Sequence, residues 1–225
     1  MSLFAALRPG VAALDHLALA LSGAQAQEAR RPDGAPMVRW TPPELWHVTV
    51  SFFGSVPDGA VPELSAALAR VALETPPLSL RLRGAGVFDR RVLWVGVGGP
   101  DTDALPGLSA AVAEAAGEVG VRVDRRPRQR AHLTVARAAA GARQARRRAG
   151  SAGRRPGEGR GADLTAGDPL AGPAAALSVY AGPDWTAHEL LLLESTSGDL
   201  PGDTSGRRVY RTVATVPLAG AATRG

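Results

Sequence analysis

Two short stretches of this chain, ELWHVTVSFFG at 44–54 and RAHLTVAR at 130–137, each place a histidine and a threonine two positions apart within apolar, β-prone sequence. In an extended strand, residues i and i+2 share a face. His47 and Thr49 therefore point one way while Val48 and Val50 point the other, and His132 and Thr134 are separated from Leu133 and Val135 likewise. Such a strand is stable when its apolar side is covered, which leaves the polar pair displayed. The two histidines lie 85 residues apart. That spacing fits an internal duplication whose two strands face each other across one cleft.

The surrounding sequence supplies further strands and a few helices. SLFAALR (2–8) reads as a first strand, followed by a helix from Val11 to about Arg30, then the strand MVRW. Asp58 is expected to cap a helix whose apolar face runs through Leu64, Leu68 and Val71. LSLRLRGAGVF alternates at Leu78, Leu80 and Leu82, whereas RVLWVGVG reads as a near-continuous buried strand. LPGLSAAVAEAAGEVG is an Ala-rich helix closing on glycine, and VRV (121–123) a short strand. A flexible Arg/Gly-rich insert is expected at 139–167, then a short helix near 173–180. WTAHELLLLEST and RRVYRTVATVPL read as two last strands. Many strands are separated only by short turns, which favours an α+β fold with antiparallel sheets over a doubly wound parallel one.

Composition narrows the chemistry. The chain has no cysteine, which excludes disulfides, thiolate metal sites and cysteine nucleophiles. No run reaches the roughly 18 apolar residues of a membrane span, and the apolar start is interrupted by Asp15 and His16, so a soluble, cytoplasmic protein is expected. All 26 basic residues are arginine, and 13 of them fall between Arg122 and Arg160 against Asp124 and Glu158 alone. That asymmetry suggests a polyanionic partner, nucleic acid foremost, with a solvated arginine tract as the plainer alternative. Without lysine no Walker-type phosphate loop can form, and no His–Glu helix motif offers a zinc site, so neither metal nor cofactor is expected. His16 and His188 read as structural or surface residues. Trp40, Trp46 and Phe53 read as core, with stacking on a base as the alternative.

Two imidazoles and two hydroxyls around one small anion suit phosphodiester cleavage. A neutral histidine takes a proton from water, a protonated one gives a proton to the departing oxygen, and Thr49 and Thr134 donate to the phosphoryl oxygens. Arg137 lies three beyond Thr134, so strict alternation puts it on the opposite face. A bulge, or a strand ending near Ala136, is needed to bring it to the anion.

With these motifs in place, the sequence resembles the two-histidine phosphoesterase superfamily. Within it, the similarity is to the RNA 2′,3′-cyclic phosphodiesterases, historically called 2′-5′ RNA ligases. LFAAL, RWTPPELWHVTVSFFG, GVFDRRVLWVGV, RPRQRAHLTVAR, WTAHELLLLEST and VYRTVATVPL carry the resemblance. It implies one bilobal, pseudo-two-fold unit over 1–225, with antiparallel sheets around a central cleft and helices outside. It also implies metal-independent hydrolysis of an RNA terminal 2′,3′-cyclic phosphate to a 2′-phosphomonoester. His47 is then the proton donor to the leaving 3′ oxygen and His132 the acceptor that activates water. Thr49, Thr134 and Arg137 hold the phosphate. The Arg/Gly-rich insert departs from the family pattern.

Three other readings stay open on the sequence: reversible 2′-5′ ligation, hydrolysis of small cyclic nucleotides, and a non-catalytic RNA-binding module. The expected partners are RNA ends or cyclic-phosphate nucleotides, with no membrane, and the chain is expected to be a monomer.

Overall fold

A computed structural model describes residues 1–30, 36–123, 130–139, 168–197 and 208–219. Among the described residues nine strands form one sheet: β1 (Ser2–Leu7), β2 (Val38–Trp40), β3 (Val48–Ser55), β4 (Leu78–Phe88), β5 (Val92–Gly98), β6 (His132–Ala138), β7 (Ala181–Ala187), β8 (Glu189–Ser197) and β9 (Arg208–Pro217). The strand order is β7-β4-β5-β6-β3-β1-β8-β9, every described pairing is antiparallel, and β2 pairs separately with β6. The order is symmetric about the β3–β6 junction, with four strands on each side. On either side a strand (β1 or β5) leads through a helix to the His-x-Thr strand, which returns antiparallel beside it. This is the expected α+β, pseudo-two-fold arrangement, with the two antiparallel sheets continuous through one central bridge.

Among the described residues the helices are α1 (Val11–Ala29), α2 (Val61–Glu74), α3 (Ala104–Glu118) and the short α4 (Ala171–Ala176). Their buried residues recur at helical spacing: Ala13, Leu17 and Leu21 in α1, Leu64 and Leu68 in α2, Leu105, Leu108 and Val112 in α3. They share one core with Val48, Val50, Leu133 and Val135 on the back of the two His-x-Thr strands. Full burial of side chains of this size stabilises by roughly 1.5–3 kcal/mol each. The polar face of the sheet is thereby held in place from behind. No helix among the described residues is long and apolar enough to cross a membrane.

Several local expectations need correction. VRV is not a strand: Gly120 adopts φ +75°, and the Val121 N–H closes α3 by donating to the Ala116 carbonyl at 2.9 Å. Asp58 makes no side-chain cap; it opens a 3-10 turn and lies 3.7 Å from the N-terminal amine. RVLWVGVG alternates, with Leu93 and Val95 in the core and Trp94 turned to the other face. WTAHELLLLEST is two strands, β7 and β8, parted at His188, and the chain crosses there from one side of the sheet to the other. Of the expected insert, Ala139 is described and 140–167 lie outside the described residues.

Candidate active site

β3 and β6 meet through one bridge, Val48 opposite Leu133, and both bridge residues are buried. Their neighbours His47, Thr49, His132 and Thr134 accordingly turn to the opposite face, where all four line a single cleft. The two histidines are held alike. His47 Nδ1 lies 2.7 Å from the Leu45 carbonyl and His132 Nδ1 3.0 Å from the Arg130 carbonyl, in each case two residues back. A carbonyl only accepts, so each Nδ1 carries its proton and donates it. In the neutral ring Nε2 then carries no proton. The segment before His47 is anchored in turn: the buried Trp46 donates its indole N–H to the Thr41 carbonyl at 2.8 Å.

Arg137 reaches the cleft through a bulge. The β5–β6 ladder passes from Trp94 opposite Thr134 to Leu93 opposite Ala136 and skips Val135. Val135 and Ala136 are both buried, alternation slips by one, and Arg137 lines the cleft beside Thr134. β3 carries the same irregularity. Thr49 stands opposite Ala6 and Ser51 opposite Ala5, Val50 is skipped, and Val50 and Ser51 are both buried. The residue returned to the cleft is here Phe52. Phe52 therefore holds the position in the first half that Arg137 holds in the second.

Aromatic rings frame both histidines. His47 has Phe4 at 4.9 Å and Tyr210, edge-on, at 5.0 Å between ring centroids; Phe4 in turn contacts Phe52 and Tyr210. His132 has Phe88 edge-on at 5.0 Å and Trp94 at 6.3 Å, with Phe88 and Trp94 stacked on each other. Burial among these rings pushes the His47 pKa below that of a free imidazole. The Leu45 hydrogen bond opposes the shift, and the charges of Arg8 and His132 add to it.

All five residues singled out in the sequence thus come to one cleft. Phe4, Phe88, Trp94 and Tyr210 were not among them. Phe4 and Tyr210 arrive from opposite ends of the chain and are joined only by strand order, so no local pattern marks them. Of the weighed aromatics, Trp46 and Phe53 are core and Trp40 lines the cleft. His16 Nδ1 lies 3.1 Å from the Tyr180 hydroxyl, away from this cleft, and His188 lines a small separate recess with Arg8 and Thr186.

Residues 16–162, well over half of the chain and including both His-x-Thr strands, match the model of the 2′-5′ RNA ligase superfamily. The chain belongs to that superfamily. An RNA 2′,3′-cyclic phosphodiesterase of Geobacillus stearothermophilus is 39% identical over 106 residues, covering 45% of this chain and 33% of the relative. One of Aquifex aeolicus is 27% identical over 105 residues, covering 45% and 55%. The chain thus spans about a third to a half of the length of these curated relatives. Among solved structures, TT0787 of Thermus thermophilus superposes with a TM-score of 0.61 at 23% identity, covering 98% of this chain and 99% of that one. The apo form of E. coli LigT gives 0.62 at 19% identity, covering 97% of each. These superpositions show that the superfamily's curled antiparallel sheet is the fold of this chain.

Proposed function

We propose that this chain hydrolyses the 2′,3′-cyclic phosphate at RNA ends and leaves a 2′-phosphomonoester. The observation that carries the reading is the pairing of two His-x-Thr strands, each histidine fixed through Nδ1, on the walls of one cleft. Relatives named RNA 2′,3′-cyclic phosphodiesterase support it.

His132 Nε2 takes a proton from water as the water oxygen bonds to phosphorus. The P–O3′ bond breaks, and His47 Nε2 delivers its proton to O3′. Thr49, Thr134 and Arg137 donate to the non-bridging oxygens as their charge grows. His47 must carry a proton to act as the acid, yet burial in the cleft disfavours the charged ring. The anionic phosphate favours it, so substrate binding itself opposes the downward shift. The chain would work as one bilobal unit, a monomer acting on cytoplasmic RNA.

Purified protein in EDTA, incubated with a short RNA ending in a 2′,3′-cyclic phosphate, should yield the 2′-phosphate. A 3′-phosphate product, or turnover only on addition of metal, overturns the mechanism.

A further inference from the structure

The cleft has a volume of about 1640 Å³, larger than the roughly 300–1,000 Å³ of pockets that enclose a small ligand. Beyond Thr134 it continues along β6, on the edge that β3 leaves and β2 takes over. There Arg39 stands directly opposite Arg137 in the antiparallel ladder, and both line the cleft. Like charges at directly opposed positions destabilise a ladder. β2 is nevertheless pinned in that register. Glu28 of α1 accepts the backbone N–H groups of Met37 and Val38, and Val38 packs into the core. Among the described residues, the Arg39 side chain has no hydrogen-bond or ion-pair partner. Along the other edge of β6 runs the β4–β5 turn with exposed Arg90 and Arg91, and the Arg91 carbonyl accepts the Ala138 N–H at 2.9 Å. Asp89 is the one carboxylate in that turn. At the place equivalent to Arg137 in the other half stands Phe52, so at this position the pseudo-symmetry breaks toward positive charge.

We propose that Arg39 holds the phosphodiester next to the terminal nucleotide, extending the anion site that Arg137 begins, so that the preferred substrate is an RNA strand rather than a mononucleotide cyclic phosphate. The inference rests on the phosphodiesterase reading and adds a second phosphate subsite to it. A guanidinium suits this place because its planar fork can bind a phosphate through two parallel hydrogen bonds.

The test compares kcat/KM for 2′,3′-cyclic CMP and for a hexaribonucleotide ending in a 2′,3′-cyclic phosphate, in EDTA at 50 and 200 mM salt. The unaltered protein should favour the hexamer at least about tenfold, the scale of one charge-assisted hydrogen bond. Arg39→Gln should lower kcat/KM on the hexamer about tenfold more than on the mononucleotide. Its log–log salt slope on the hexamer should shrink by about 0.7, the loss of one contact to a single strand. Arg39→Lys keeps the charge and should retain most of the salt slope. Arg70→Gln, on the far surface of α2, should change neither substrate. If Arg39→Gln lowers both substrates equally, or lowers neither, the subsite is wrong while the phosphodiesterase reading stands. If the unaltered protein turns over neither substrate, that reading fails and takes the subsite with it.

Discussion

The two halves of the cleft are built to one plan and finished differently. In both, the histidine is held by the carbonyl two residues back, the threonine follows on the same face, and a bulge one residue later slips the alternation. In the first half the slip delivers Phe52 among Phe4 and Tyr210, and His47 sits within that wall. In the second it delivers Arg137 opposite Arg39, and His132 sits beside the Phe88–Trp94 pair. Shared backbone geometry presents two equivalently held imidazoles to one cleft. The residue that follows each bulge is apolar on one side, Phe52, and cationic on the other, Arg137, so a symmetric frame becomes directional.

The comparison breaks most completely when either histidine is removed. His47→Ala and His132→Ala should each lower kcat by at least about 10³-fold, near the upper range of positioned acid–base catalysis. Steady-state hydrolysis of a cyclic-phosphate RNA measures this, and near-normal turnover in either variant would defeat the acid–base pairing. Making the second half resemble the first is the next largest change. Arg137→Phe should cost about 10- to 100-fold in kcat/KM, the scale of a hydrogen bond to a charged group. Thr49→Val and Thr134→Val should each cost about tenfold, and by similar factors if the two hydroxyls act as equivalents.

The aromatic wall predicts a difference in pH dependence. Burial lowers the folded-state pKa of His47 below its ordinary 6.5, so in the free protein the ring resists protonation more than in the unfolded chain. Between pH 6.5 and the lowered value the unfolded chain binds more protons, and stability falls as pH falls through that window. Melting of the unaltered protein from pH 7 to 5 should show the loss. His47→Gln should flatten that part of the slope, and an unchanged slope would mean that His47 is not the group responsible. The smallest effect concerns the floor of the second half. A Cβ on Gly86 would overlap carbons of the Trp94 ring, so Gly86→Ala should destabilise by about 1–3 kcal/mol and displace Trp94 from beside His132. Thermal melting together with Trp fluorescence would detect it.

Much of this site was legible in the sequence because period-two alternation is local. Val48, Val50, Leu133 and Val135 read as core and are core, which fixes where His47, Thr49, His132 and Thr134 point. Alternation alone failed at Arg137, because a bulge is a property of two paired strands and Val135 looks the same in either register. Arg39 stayed hidden for the same reason: only the ladder places it opposite Arg137. Phe4 and Tyr210 meet only because β1 and β9 both flank β8. VRV failed otherwise: its β-branched residues favour a strand, but the glycine-terminated end of α3 claims the Val121 N–H.

The two His-x-Thr strands should act as one catalytic unit. A double-mutant cycle tests it most directly, with single-turnover rates for His47→Ala, His132→Ala and the double variant on a cyclic-phosphate RNA. Groups that act together are strongly non-additive. The double variant should be slowed about as much as either single one, within roughly tenfold. Losses that multiply, so that the double variant falls by the product of the two single effects, would contradict it.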